Sequence, residues 1–378
     1  MTGTNAVPAD SGPRVSAVET AAYTVPTDAP EADGTLAWAE TTLVVVRARS
    51  DGTTGLGYTY GAAAATAVVR DLLAGVVTGL RAWDPPGANE AMRRAVRNAG
   101  YPGLVAGAVS AVDIALWDLK ARLLGLPLVD LLGAVTPDVP VYGSGGFTTY
   151  SARQQDRQLR AWVETLGIPR VKMKIGESWG KEERRDRTRI AAARSSIGEA
   201  AELYVDANGA YTRKQAIRLA PFLGDEAVTW FEEPVSSDDL AGLARVRAAA
   251  GPDVAAGEYG CTPAYFRAMV DAGAVDCLQA DATRCGGVTG WLRAAALADA
   301  AGLQLSAHCA PHVHAHTAAA IPNLRHAEWF HDHVLVEQRL LDGVLFPGGG
   351  TVRPGGTGRP GLGLDLREEN AERYRVRP

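Results

Sequence analysis

The sequence predicts an α/β protein, a parallel barrel of eight βα units preceded by a smaller α+β domain. Three observations carry that expectation. From Val139 onward, eight short β-rich segments alternate with Ala/Arg-rich helical ones. An ionisable residue ends most of those strands. The 378 residues also exceed the ~250 that one such barrel uses, which leaves room for a second unit.

Residues 1–13 lack an apolar h-region and read as a loose leader without a signal peptide, so a cytoplasmic location is expected. The smaller domain is expected over 14–133. Thr41–Arg49 reads as a strand, and Gly55–Tyr60 as its hairpin partner across the turn DGTTG. Helical patterns cover 62–81, 88–99 and 105–124. The last is apolar on a 3.6-residue period and stops at Gly125, with Pro127 just beyond. The polar, proline-containing stretch Tyr23–Trp38 predicts a mobile surface loop.

The barrel is expected over 134–343, with strands at 139–144, 170–175, 203–206, 228–232, 254–258, 275–281, 303–308 and 325–330. Helices fill 151–168, 181–197, 212–223, 238–250, 262–272 and 288–301, and the seventh crossover, 312–322, is short. Residues 344–378 form a C-terminal segment.

Composition narrows the function. The net charge is -5 and no basic block stands out, which argues against a nucleic-acid partner. No uncharged apolar run reaches the ~18 residues a membrane span needs. The four cysteines, Cys261, Cys277, Cys285 and Cys309, form no CxxC pair and read as free, mostly buried thiols. Cys285 and Cys309 are expected to be packing residues. Only five of the 38 basic residues are lysine, and two of those are Lys172 and Lys174. Where arginine is the default cation, a retained lysine points to a group that must lose its proton, which arginine cannot do.

The strand ends carry Lys172/Lys174, Asp206, Glu232, Glu258, Asp281, His308 and Glu328. In a parallel barrel these ends converge on one mouth, where the active sites of this fold lie. Asp206, Glu232 and Glu258 come from successive strands. Three carboxylates in one mouth repel one another unless a cation compensates, and a hard divalent ion, Mg2+, suits oxygen donors. Lys172 and Lys174 share one face of a strand. Close cations are expected to lower their pKa toward neutrality, making Lys174 a possible general base. Asp281 would orient His308 and raise its basicity across the mouth from Lys174. Glu328, its pKa raised by burial, would donate a hydrogen bond to a substrate carboxylate.

Two further patterns weigh less. His312, His314 and His316 resemble a zinc cluster, but they follow the seventh strand and no later ligand set exists. A helix-and-loop role is expected for them, with His312 facing substrate. Gly356–Gly361 matches GxGxxG, but no strand precedes it and too little chain follows, so it reads as a turn.

Together these residues resemble the enolase superfamily, in its mandelate racemase subgroup. VKMKIG (171–176) is similar to that group's Lys-x-Lys motif. VDANGAY (205–211), FEEP (231–234) and GE (257–258) are similar to its metal-ligand strands. DATRCGG (281–287) with SAH (306–308) resembles its Asp–His dyad, and residues 110–133 resemble the end of its capping domain. The resemblance implies a capping domain over a modified (β/α)7β TIM-type barrel, with the C-terminal segment returning to the cap. It implies one Mg2+ on Asp206, Glu232 and Glu258, and removal of the proton α to a carboxylate through an enediolate. A Lys or His base working beside Mg2+ is the general pattern of that superfamily. By the same likeness Lys172 neutralises the substrate carboxylate, Lys174 is one acid/base, and His308 with Asp281 is the other. Expected partners are a small carboxylate substrate and further copies of the chain, as a dimer or octamer. Dehydration of a sugar acid is favoured over racemisation or epimerisation, because the 23–38 stretch is polar and His312 and Arg284 are expected at the mouth. A metal-binding protein without catalysis would lack Lys174, His308 or Asp281, and all three are present.

Overall fold

The computed structural model describes residues 12–377. The expected leader lies largely outside them. The N-terminal unit is an antiparallel sheet, β1 (Ala17–Ala32), β2 (Ala37–Ser50) and β3 (Thr53–Tyr60), in the order β1-β2-β3. The helices Pro85–Ala95 and Ala106–Leu123 and a shorter helical stretch over 65–77 complete it. The helix Ala106–Leu123 lies on β3, and glycine makes that approach possible. A Cβ on Gly57 would stand 2.2 Å from the Ala111 carbonyl, and one on Gly55 would stand 2.2 Å from that of Ala115. The helical segment Tyr101–Leu123 is long and apolar enough to cross a membrane, but most of it is buried inside the protein between the sheet and the barrel.

The Tyr23–Trp38 stretch corrects the loop expectation. Most of it is strand. β1 continues to Ala32, paired with β2 through Pro26↔Glu40, then shifts register and resumes at Glu31↔Trp38. Pro26 and Pro30 are tolerated because the ladder is interrupted between Pro26 and Glu31. The turn is only Asp33–Leu36, closed by Asp33 Oδ1 accepting from Leu36 N at 2.7 Å.

The second unit is a closed barrel. Its strands are β4 (Val139–Gly145), β5 (Arg170–Lys174), β6 (Glu202–Asp206), β7 (Val228–Glu232), β8 (Asp253–Ala256), β9 (Cys277–Ala280), β10 (Gln304–Ala307) and β11 (Leu324–Phe330). All pair in parallel in chain order, and β11 closes on β4 with Glu328 opposite Tyr142. Helices join successive strands, including the short Pro311–Ala319 between β10 and β11. This is the seven-unit barrel with an eighth strand, and the helix His331–Leu340 runs on from it. Alternate residues of the strands fill the interior, where Tyr142, Tyr204 and Trp230 pack against Ala255 and Cys277. The chain then returns to the first unit: Thr24 N donates to Tyr374 O at 2.8 Å, and Val376 N to Ala22 O at 2.9 Å. The stretch 356–361 is irregular, as a turn should be, and all four cysteines are free and buried.

The cap helix is fixed to the barrel by polar groups. Asp113 accepts from Asn89 Nδ2 at 2.9 Å and from Thr289 N at 3.0 Å, and Asn89 also donates to Gly286 O at 2.8 Å. A Cβ on Gly287 would lie 2.1 Å from Asp113 Oδ1, so this junction also requires glycine.

Candidate active site at the barrel mouth

The strand ends bring Lys172, Lys174, Asp206, Glu232, Glu258, Asp281, His308 and Glu328 together, and all eight are buried. One carboxylate oxygen each from Asp206, Glu232 and Glu258 lies within 4.8 Å of the other two. The set fits a hard divalent cation. It offers only oxygens, it comes from successive strands, and Glu258 Oε2 is buried and accepts no hydrogen bond, with His308 Nε2 3.2 Å away. The remaining carboxylate atoms are oriented by their surroundings. Asp206 Oδ1 accepts from Asn208 N at 2.9 Å, and Glu232 Oε2 from Trp230 Nε1 at 2.8 Å. Burial and then the Asp206 charge push the Glu232 pKa up to about 8.

The two lysines face these carboxylates. Lys172 Nζ is 2.5 Å from Glu232, 2.7 Å from Glu328 and 3.4 Å from Asp206. Lys174 Nζ is 2.5 Å from Asp206. With the three carboxylates uncompensated, both pKa values lie above the ordinary lysine range; the expected depression is that of a site whose carboxylates hold a cation. Burial alone would lower them, but the charges nearest to both ammonium groups are carboxylates, and these win.

Across the mouth, His308 Nδ1 is 2.9 Å from Asp281 Oδ2. The other face of Asp281 is held by Thr283, whose N and Oγ1 both donate to Oδ1 at 2.7 Å. His308 Nε2 points to the carboxylates, 3.2 Å from Glu258 and 3.8 Å from Glu328. Burial opposes the charged imidazole, but Glu258 and Asp281 outweigh it and the His308 pKa is raised. Asp281 is correspondingly held well below the carboxylate range: burial would raise it, and His308 lowers it.

Glu328 departs from expectation. It accepts from Ser144 Oγ at 2.6 Å and from Cys309 N at 2.9 Å, besides facing Lys172. Burial would raise its pKa, yet Lys172, His308 and Lys174 together drive it well below the usual range.

Several groups at the mouth carry little signal in the sequence. Cys309, expected as packing, lines it, with Sγ 3.3 Å from His308 Nε2. Cys309 and Ala310 both take positive φ, the strained backbone that aims the end of β10. Glu233, the second acid of FEEP, is buried with Oε1 unpartnered. Asn208, Trp38, Thr41, Tyr60 and Asp332 also line the mouth. Arg284 is there as expected, 3.3 Å from Glu258 and 3.6 Å from Asp281.

His312 is not at the mouth, which removes one argument for a polar substrate. Its Nδ1 bonds Glu337, which also accepts from Tyr58 and Tyr60 at 2.9 Å. His314 Nε2 accepts from Ala282 N at 2.8 Å and its Nδ1 donates to Cys309 O at 2.7 Å. His316 Nδ1 accepts from Val129 N at 3.1 Å. The three rings point at separate partners and form no ligand set.

Comparison with known proteins agrees with this geometry. Residues 154–370 match the family model described as enolase C-terminal domain-like. Residues 17–133 match that of the mandelate racemase/muconate lactonizing enzyme N-terminal domain. A mandelate racemase/muconate lactonizing enzyme-like protein from Rubrobacter xylanophilus is similar in structure. Its TM-score is 0.93 at 52% identity, over 96% of this chain and 100% of that one. A 3,6-anhydro-alpha-L-galactonate cycloisomerase from Streptomyces coelicolor is 35% identical over 88% of this chain and 91% of its own. The L-talarate/galactarate dehydratase of Salmonella typhimurium is 31% identical over 87% of this chain and 82% of its own. A mutant L-talarate/galactarate dehydratase, liganded with Mg and L-glucarate, superposes with a TM-score of 0.91 at 28% identity, over 100% of this chain and 95% of that one.

Proposed function

Because the chain belongs to the mandelate racemase/muconate lactonizing enzyme family of the enolase superfamily, we propose that it dehydrates a small sugar acid. The proton α to the carboxylate is removed, the neighbouring hydroxyl leaves as water, and a 2-keto-3-deoxy acid results. One observation carries this reading: two acid/base groups flank the carboxylate cluster from its two ends. Lys174 sits against Asp206 at one end, and the Asp281-held His308 sits against Glu258 at the other.

Asp206, Glu232 and Glu258 are the residues that would hold Mg2+. Bound there, the ion supplies fixed positive charge beside the substrate carboxylate, which makes the α-proton more acidic. Lys172 adds a second fixed charge at that carboxylate, and Glu328 with Ser144 keeps Lys172 in place. Lys174 takes the α-proton on its side. His308, its pKa raised by its carboxylate neighbours, gives a proton to the departing hydroxyl on the other side. Asp281 fixes the ring so that Nε2 is the nitrogen that faces substrate. The relatives named above, a sugar-acid cycloisomerase and a sugar-acid dehydratase, support a sugar acid as substrate.

The test is proton NMR of the protein with Mg2+ in D2O and a panel of sugar acids. Loss of the α-proton with appearance of a 2-keto-3-deoxy product is expected. Deuterium at the α-carbon with inversion and no elimination would instead establish a racemase or epimerase.

A further inference from the structure

The hollow above the site encloses about 400 Å3, within the usual range for a small-molecule pocket. Its two walls differ in charge. The barrel wall carries all of the hollow's lysine and arginine side chains, Lys174 and Arg284, together with His308, beside the carboxylates Glu258 and Glu328. The opposite wall is built by the cap turn, β2 and the start of the helix His331–Leu340, and its ionisable groups are Asp33, Glu40 and Asp332. Behind it, Glu31 is a buried carboxyl that accepts from Trp38 Nε1 at 2.9 Å; burial pushes its pKa up to about 9, so it adds no charge to the wall at neutral pH.

The nearby rings do not offset these acids. His333 also lines the hollow, but it stacks on Tyr60 with centroids 3.3 Å apart, and burial and the His308 charge favour its neutral form. His331 is engaged by Asp28 at 3.1 Å. Arg284 is kept on the barrel wall by Glu258 and Asp281, with its guanidinium 5.3 Å from the centroid of the Tyr259 ring.

Resting on the dehydratase reading, we infer that the substrate is a monocarboxylate whose uncharged, hydroxylated tail faces the cap. Hydroxyl groups can donate to Glu40 and Asp332 and exchange hydrogen bonds with Thr41 and Tyr60. A second carboxylate would meet acceptors of its own sign, and none of the described residues lining that wall is a free cation. The specificity lies in what the cap repels as well as in what the barrel attracts.

The experiment compares kcat/KM for six-carbon aldonates with that for aldarates of the same configuration, which differ only at C6. Like-charge juxtaposition at a binding surface predicts that the preferred aldonate leads its aldarate by roughly 30-fold. Glu40→Lys, a change at an exposed position, is expected to narrow that gap by raising the aldarate rate. An aldarate turned over as well as its aldonate overturns the inference and leaves the dehydratase reading intact. A gap that neither Glu40→Lys nor Asp332→Asn narrows also overturns it. If no acid in either set loses its α-proton in D2O, the dehydratase reading fails and the inference falls with it.

Discussion

Replacing Asp281 with Asn keeps the shape of the residue beneath His308 and removes its charge. Asp281 is 1% exposed, so the substitution acts through the imidazole and not through a substrate contact. At 2.9 Å, with an effective dielectric near 20, the pair attraction is about 6 kcal/mol, which is an upper bound. Arg284 and Thr283 share the carboxylate, so part of it is already engaged elsewhere. Truncating one member of a buried, hydrogen-bonded charge pair usually costs 2–5 kcal/mol, and about 3 kcal/mol corresponds to roughly 100-fold. We therefore expect kcat for elimination to fall about 100-fold with KM changed by less than about three-fold. His308 is raised partly by Asp281, so the variant's imidazole loses its proton at lower pH. The alkaline limb of the kcat profile should move down accordingly. Steady-state kinetics from pH 5 to 10 read both effects. A kcat within three-fold of wild type, with an unmoved limb, would refute the assigned role of the dyad.

Three further outcomes are expected. Gly57→Ala places a Cβ 2.2 Å from one backbone atom and 2.4 Å from another, so the helix Ala106–Leu123 must shift. The cost is about 3 kcal/mol, read as a lowered Tm. Glu31, pushed up to about 9 by burial and then Asp332, is more easily protonated folded than unfolded. Its stabilising contribution is complete below about pH 4.5 and is lost as pH rises toward 9, by at most about 3 kcal/mol between pH 4.5 and 7. Glu31→Gln should flatten that dependence in denaturation series across the range, gaining on wild type as pH rises. His316→Ala leaves the buried Val129 N–H without its acceptor and should cost about 1–3 kcal/mol. Elemental analysis should show the metal content of this variant unchanged, because the ring ligates nothing.

Most of the site is legible in the sequence because a parallel barrel places strand ends in register. The last polar residue of each apolar strand picks out Asp206, Glu232, Glu258, Asp281, His308 and Glu328 directly. Protonation is not legible in that way. Spacing along the chain sets Lys172 and Lys174 beside each other and an ion. Their nearest neighbours are instead carboxylates supplied by β6, β7 and β11, at distances sequence spacing does not give. The same Lys172 contact pulls the Glu328 pKa down, against the upward push of burial. β1 reads as a loop because its two prolines and alternating polar residues imitate one, whereas pairing with β2 is a long-range fact. The histidine run imitates a ligand set only while residues two apart are compared along the chain. On the helix Pro311–Ala319 such residues diverge, and His312, His314 and His316 reach three different partners. Cys309 gives no signal because its position against His308 depends on the positive φ at the end of β10.

The central claim is that Lys174 removes the α-proton while His308, on the other side, protonates the departing hydroxyl. Its most direct test is proton NMR in D2O with Mg2+ and an accepted acid, following α-proton loss and keto product separately in two variants. Lys174→Met should abolish both α-proton loss and product, whereas His308→Asn should abolish product and still exchange the α-proton. Product formed at the wild-type rate by either variant would contradict the account.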